Sequence, residues 1–122
     1  MSESQRFANE SELQEACFDL ARSCGFWVMR MGNNSKRGRY MAKSGEDGML
    51  DSLLPAYGWI EVKMPGEELN ENQRKFVAKL DRDGVPWAVA ETPEQFLYTA
   101  IKWRGEREQG RAEREWERVL GR

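Results

Sequence analysis

Two periods organise the apolar residues of this chain. Leu13, Cys17, Leu20, Ala21 and Cys24 recur at three- and four-residue spacing and predict a helix over residues 9–24. Asn9 or Ser11 caps its start and Gly25 ends it. Projected backwards, the stripe passes through Glu10, whereas Glu12, Glu15 and Asp19 fall off it and read as solvated. Residues 26–31 (FWVMRM) then read as a strand with Arg30 near its end. Residues 49–54 (MLDSLL) read as a second, in which Asp51 alone interrupts the apolar run. The third lies within residues 57–65, where Trp59, Ile60 and Val62 are strand formers bounded by Gly58 and by Pro65-Gly66.

A second helix is predicted over residues 70–83, capped by Asn70 and stopped by Gly84. Its inward stripe is Leu69, Gln73, Phe76, Val77 and Leu80. Residues 85–91 form a strand of buried type, and Thr92 caps a helix over 93–102 with Pro93 at its first position. Residues 104–122 alternate in charge, with Trp116, Val119 and Leu120 as their apolar anchors. They predict a solvated helix that packs onto the domain or onto a second copy. The pattern gives an α/β protein with a mixed central sheet flanked by helices, in the order αβββαβα plus a C-terminal helix. Residues 1–8 are a flexible lead-in, 9–103 the domain and 104–122 a charged arm.

Composition narrows the chemistry. With 122 residues and 39% apolar content, a single globular domain is expected. The chain has no apolar run near 18 residues and a Ser-, Glu- and Gln-rich start, which predicts a soluble, cytoplasmic protein. Cys17 and Cys24, two turns and about 10 Å apart on one helix, are too distant for a disulfide and read as buried thiols. There is no histidine. That removes Ser-His and Cys-His catalysis and mixed Cys/His zinc sites, leaving carboxylates, lysine and hard cations. The net charge is −2, yet Arg30, Lys36, Arg37, Arg39 and Lys43 crowd a stretch without acids. That stretch is either a surface loop or a phosphate-contacting one.

Polar residues standing in apolar positions carry the rest. Strand alternation puts Ile60 and Val62 on one face and Glu61 and Lys63 on the other. The second pair is either a solvated strand face or half of a metal site. If residues 49–54 pair with the Glu61 strand as a hairpin, Asp51 comes within about 5 Å of Glu61. Two carboxylates so close repel unless a cation lies between them. Mg²⁺ or Mn²⁺ held by Asp51, Glu61 and a backbone carbonyl near Val62 would relieve that repulsion and acidify a bound water. Lys63 would orient or deprotonate that water and neutralise charge on a phosphate. Singly, Glu-x-Lys arises by chance, Gln73 reads as a helix-end amide and Glu10 as a surface acid. In conjunction they are stronger, because each misplaced polar group would otherwise need its own explanation.

This succession resembles the PD-(D/E)XK nuclease superfamily, and more narrowly the VRR-NUC domain, including its small stand-alone phage-type members. The matching stretches are residues 9–30 (NESELQEACFDLARSCGFWVMR), 48–51 (GMLD), 60–76 (IEVKMPGEELNENQRKF) and 84–90 (GVPWAVA), so the resemblance covers residues 9–97. It implies a restriction-endonuclease-like core, Mg²⁺ or Mn²⁺ as cofactor and hydrolysis of DNA phosphodiester bonds. Asp51, Glu61 and Lys63 take the family's catalytic roles, Glu10 an additional acidic role near the metal and Gln73 a supporting one. Leu50 departs from the pattern, standing where the family usually has proline. Under this reading Arg30, Asn33, Asn34, Ser35, Lys36, Arg37, Arg39 and Lys43 contact DNA phosphates, which positions a duplex without reading its sequence. Selectivity for branched or four-way-junction DNA is then expected, as is a homodimer with two active sites, without membrane or organic cofactor. The alternatives are a non-catalytic DNA-binding or assembly module that keeps the fold, and an interaction protein acting through its C-terminal helix.

Overall fold

The computed structural model describes residues 6–31 and 47–121. Seven elements follow in the predicted order: α1 (Glu10–Ser23), β1 (Met29–Arg30), β2 (Ser52–Leu54), β3 (Gly58–Val62), α2 (Glu71–Arg82), β4 (Trp87–Ala90) and α3 (Pro93–Val119). The strands form one sheet in the order β1-β2-β3-β4. The first three are antiparallel neighbours, and β4 joins β3 in parallel after the α2 crossover that such pairing requires. The architecture is therefore mixed α/β, a four-stranded mixed sheet with three helices.

Local chemistry sets the helix ends. The side chains of Asn9, Asn70 and Thr92 accept the backbone N–H three residues on, and Gly25 and Gly84 take positive φ where α1 and α2 stop. The predicted stripes then meet the sheet from both sides. On one side α1 and α3 bury Leu13, Cys17, Phe18, Phe96 and Ala100 with Ile60 and Val62 of β3. Phe18 and Phe96 meet edge to face with ring centroids 5.6 Å apart. On the other side α2 lays Phe76, Val77 and Leu80 against Leu50, Trp59 and Trp87. Burial of each such side chain stabilises by about 1.5–3 kcal/mol, so these layers position everything else.

Four expectations are corrected. β1 and β2 are shorter than the apolar runs that suggested them, and Asp51 sits in a bend just before β2. Its N–H serves a side chain rather than the sheet ladder, as described below. Cys17 is buried, but Cys24 is exposed, because α1 closes at Ser23 and leaves Cys24 as its cap. Phe18, which the predicted stripe left out, is fully buried in the core. β4 is an edge strand with Val89 partly exposed, not a fully buried one.

The largest difference is at the C-terminus. The helix over 93–102 and the charged helix after 104 are one element, α3, running unbroken through Gly105 and Gly110. A helical glycine costs about 1 kcal/mol relative to alanine. Contacts with the domain offset that penalty. Arg104 lies 4.5 Å from the Phe26 ring centroid, and Arg107 lies over Tyr57 and donates to the Ala56 carbonyl. No helix among the described residues is long and apolar enough to cross a membrane.

Candidate active site

The register of the hairpin decides whether the two acids meet. Ser52 pairs with Ile60 and Leu53 with Trp59, so one step outward Asp51 stands opposite Glu61. Their side chains cross-link the strands. The Asp51 N–H donates to Glu61 Oε1 at 2.9 Å, and the Val62 N–H donates to Asp51 Oδ2 at 3.0 Å. Each carboxylate thereby replaces a rung of the ladder, which is why β2 begins only at Ser52. The Val62 carbonyl points to the same edge as its N–H, because both groups of an extended residue face one side.

The alternation of β3 sends Ile60 and Val62 into the α1–α3 core and Glu61 and Lys63 away from it. That second face is not solvated: Glu61 is 1% and Lys63 9% exposed. Lys63 Nζ lies 3.7 Å from Glu61 Oε2. The same oxygen accepts from Gln73 Nε2 at 2.7 Å. Gln73 cannot turn away. Its Oε1 accepts the Asn70 N–H at 3.0 Å, while Asn70 Oδ1 accepts the Gln73 N–H at 2.8 Å. This capping box fixes the amide oxygen toward the helix start and so aims its NH₂ group at Glu61.

Electrostatics follow from that geometry. The Glu61 carboxyl is held well above the usual carboxylate range, first by burial and then by the charge of Asp51, against the opposing pull of the Asp51 N–H, Lys63 and Gln73. Asp51 is also raised, chiefly by burial, although the Val62 N–H, Glu61, Lys63 and Gln14 favour its charged form. Glu10, the first residue of α1, is half-buried and raised by burial and by the Asp51 charge, with Lys63 opposing. Two negative charges are therefore disfavoured on this pair unless a proton or a cation accompanies them. Two carboxylates and one backbone carbonyl, with water, fit Mg²⁺ or Mn²⁺, which are commonly bound through one or two carboxylates. Among the described residues no group of three or more acids or thiols is placed to hold a metal. Glu10 accordingly stands at the rim of the acid pair and not in a three-carboxylate cluster.

Of the residues expected to contact DNA, Arg30 is described and is turned toward α1. It donates to Gln14 Oε1 at 2.8 Å and to Glu15 Oε2 at 2.5 Å, over the ring of Phe18. Asn33, Asn34, Ser35, Lys36, Arg37, Arg39 and Lys43 lie outside the described residues. The structure also adds participants that the sequence reading missed. Gln14 lies near enough to Asp51 to favour its charged form and is itself held by Arg30. Its signal was available, since position 14 lies one helical turn after Glu10.

Gly48 is the second addition. It has φ +83°, and a Cβ there would run into the backbone of Asn72 in the first turn of α2. Only glycine lets the segment leading to Asp51 press against the helix end that carries Gln73. Leu50, between them, is fully buried against Phe76 and Leu80 and anchors the same segment. No protein-family model, curated protein or solved structure matches this chain.

Proposed function

We propose that this protein is a metal-dependent endonuclease of the PD-(D/E)XK kind, with a VRR-NUC-like restriction-endonuclease core, that hydrolyses DNA phosphodiester bonds. One observation carries the reading. Asp51 and Glu61 are paired across a hairpin in a buried setting where both cannot ionise freely, with the Lys63 ammonium beside them. The order αβββαβα and the mixed sheet support the same reading.

Asp51, Glu61 and the Val62 carbonyl would hold Mg²⁺ or Mn²⁺, which supplies Lewis-acid stabilisation of phosphate charge and a more acidic water. Gln73 keeps Glu61 oriented through its amide, and the Val62 N–H holds the Asp51 carboxylate. Lys63 contributes a donor that orients the attacking water and offsets charge developing on the phosphate. Glu10 adds negative charge at the rim. The basic residues Lys36, Arg37, Arg39 and Lys43, as phosphate contacts that position a duplex without reading its bases, favour branched or four-way-junction DNA over a sequence-specific site.

The test is cleavage of plasmid, linear duplex and four-way-junction DNA with Mg²⁺, with Mn²⁺ and with chelator. Metal-dependent cleavage is expected, falling by about 100-fold or more in Asp51→Asn and in Lys63→Ala. Calorimetric titration should show Mg²⁺ or Mn²⁺ binding to the wild type and not to Asp51→Asn. Undiminished cleavage by either variant would remove these residues from the mechanism. Salt-sensitive DNA binding with no cutting under any metal would instead favour the non-catalytic module.

A further inference from the structure

α3 has two apolar sides. Phe96, Ala100 and Trp103 face the domain, and Arg107 makes contact with it near Tyr57. From Arg111 onward every described residue of the helix is exposed. On the side turned away from the domain, Tyr98, Ile101, Gly105, Ala112, Trp116 and Val119 fall within a strip about 60° wide at 100° per residue. This strip runs the length of the helix. Tyr98 is 69%, Trp116 63% and Val119 68% exposed. Solvent-facing large apolar residues aligned over six turns are not an ordinary solvated surface.

We infer that a second copy of this chain docks antiparallel along this outer face of α3. The strip is complementary to its own reversal. Turned about the point between Glu108 and Gln109, it sets Tyr98 against the partner's Val119, Ile101 against the partner's Trp116, and Gly105 against the partner's Ala112. Large residues thus meet apolar ones away from the axis, and small residues near it let the two backbones approach.

Charge points to the same register. A two-fold axis perpendicular to antiparallel helices brings like flank to like flank. On one flank Glu108 meets the partner's Arg111 and Arg104 meets the partner's Glu115. On the other, Lys102 meets the partner's Glu117, while Glu106 opposite the partner's Glu113, and Glu108 close to the partner's own Glu108 at the two-fold axis, are the unfavourable matches. Parallel pairing would instead set Glu115 beside the partner's Glu113 and Glu117. Glu113, Glu115 and Glu117 crowd the C-terminal half of the strip, which favours a protein occupant over a nucleic-acid backbone there.

The far end of the pairing also has a seat. Between the free edge of β4 and α3 lies an open groove of about 460 Å³, lined by Val89, Glu94, Gln95, Tyr98 and Thr99. In the antiparallel register the partner's Leu120 arrives at this groove, on the flank where Leu120 itself lies. Leu120 is 45% exposed in the single chain and gains burial there.

Sedimentation equilibrium of the full chain tests the pairing without metal or DNA, so its outcome is separate from that of the nuclease reading. The wild type is expected at twice the 14.2 kDa chain mass. Trp116→Glu and Ala112→Glu, both on the exposed arm, should each raise the dissociation constant at least about tenfold while the domain still unfolds cooperatively. Glu108→Arg and Arg111→Glu should each weaken the dimer, and the double variant should restore it, because the swapped charges again meet their opposites. Single-chain mass for the wild type at every concentration, a dimer indifferent to Trp116→Glu, or a double variant no tighter than the singles would overturn the inference.

Discussion

Ile60 and Glu61 are neighbours on β3 and almost equally hidden from solvent, at 0% and 1% exposure, yet their burial has opposite consequences. Around Ile60 the α1–α3 layer is apolar, so the loss of water contact is a gain in stability. Around Glu61 the N–H of Asp51, the amide of Gln73 and the ammonium of Lys63 satisfy the carboxylate, but Asp51 brings a second carboxylate into the same dry space. Hydrogen bonds complete that site without making it favourable to ionise. One face of the strand holds the fold together in any solution. The stability of the other depends on how the acid pair is neutralised, by a proton or, under the proposed function, by a cation.

The apolar face should be the harder of the two to disturb without unfolding. Ile60→Ala removes a fully buried side chain from a packed layer and should lower stability by about 2–5 kcal/mol, read as a shift in the urea midpoint with the slope unchanged. If the loss is well under 1 kcal/mol, the layer is less tightly packed than its burial indicates. Gly48→Ala attacks the polar face through the backbone. The positive φ and the collision with Asn72 should together cost about 2–4 kcal/mol. It should also displace Asp51 from Glu61, so metal affinity measured by calorimetry should fall along with stability.

Glu61→Gln should act on the pH dependence of stability. The folded-state pKa of Glu61 is raised, so the folded chain holds protons more tightly than the unfolded one. Stability is then greatest below the unfolded-state pKa, about 4, and is lost as pH rises through the higher folded value. In chelator the wild type should become less stable from about pH 5 to about pH 8, and Glu61→Gln should flatten that slope. Its amide NH₂ must face either the Gln73 NH₂ or the Asp51 N–H, so in acid the variant should be less stable than the wild type. Mg²⁺ should flatten the wild-type slope too, by taking the place of the proton. A wild-type melting temperature that climbs with pH in chelator would contradict this description of the acid pair.

The two faces also differed in how legible they were. Ile60, Val62, Phe76 and Leu80 announced themselves through period, because burial of apolar surface is additive and local in the sequence. Glu61 and Asp51 were visible as acids in apolar runs, but their meeting hung on a hairpin register that only the paired strands supply. What periodicity missed were groups defined by contact across elements. Gln14 on α1 and Gly48 before Asp51 matter because of what the sheet and α2 bring to them. Strand lengths were overestimated for the same reason: Asp51 spends its ladder position on a side chain. The unbroken α3 was hidden by two glycines, whose propensity cost is offset by Arg104 and Arg107 on aromatic rings distant in sequence.

Gln73 offers the finest test of the contrast, because it belongs to both kinds of structure at once. Its Oε1 completes the cap of α2, while its NH₂ group serves Glu61. Gln73→Ala removes both contacts and should cost about 1 kcal/mol, a loss dominated by the cap and therefore nearly constant with pH. Gln73→Glu keeps an oxygen for the Asn70 N–H, as a capping box allows, but sets a third carboxylate against Glu61. Its penalty should be small in acid, where the cluster is protonated, and should grow as pH rises. Thermal melts of both variants across pH, in chelator, separate the two roles. Parallel pH profiles for the two substitutions would mean that Gln73 serves the helix alone and that Glu61 is oriented by other groups.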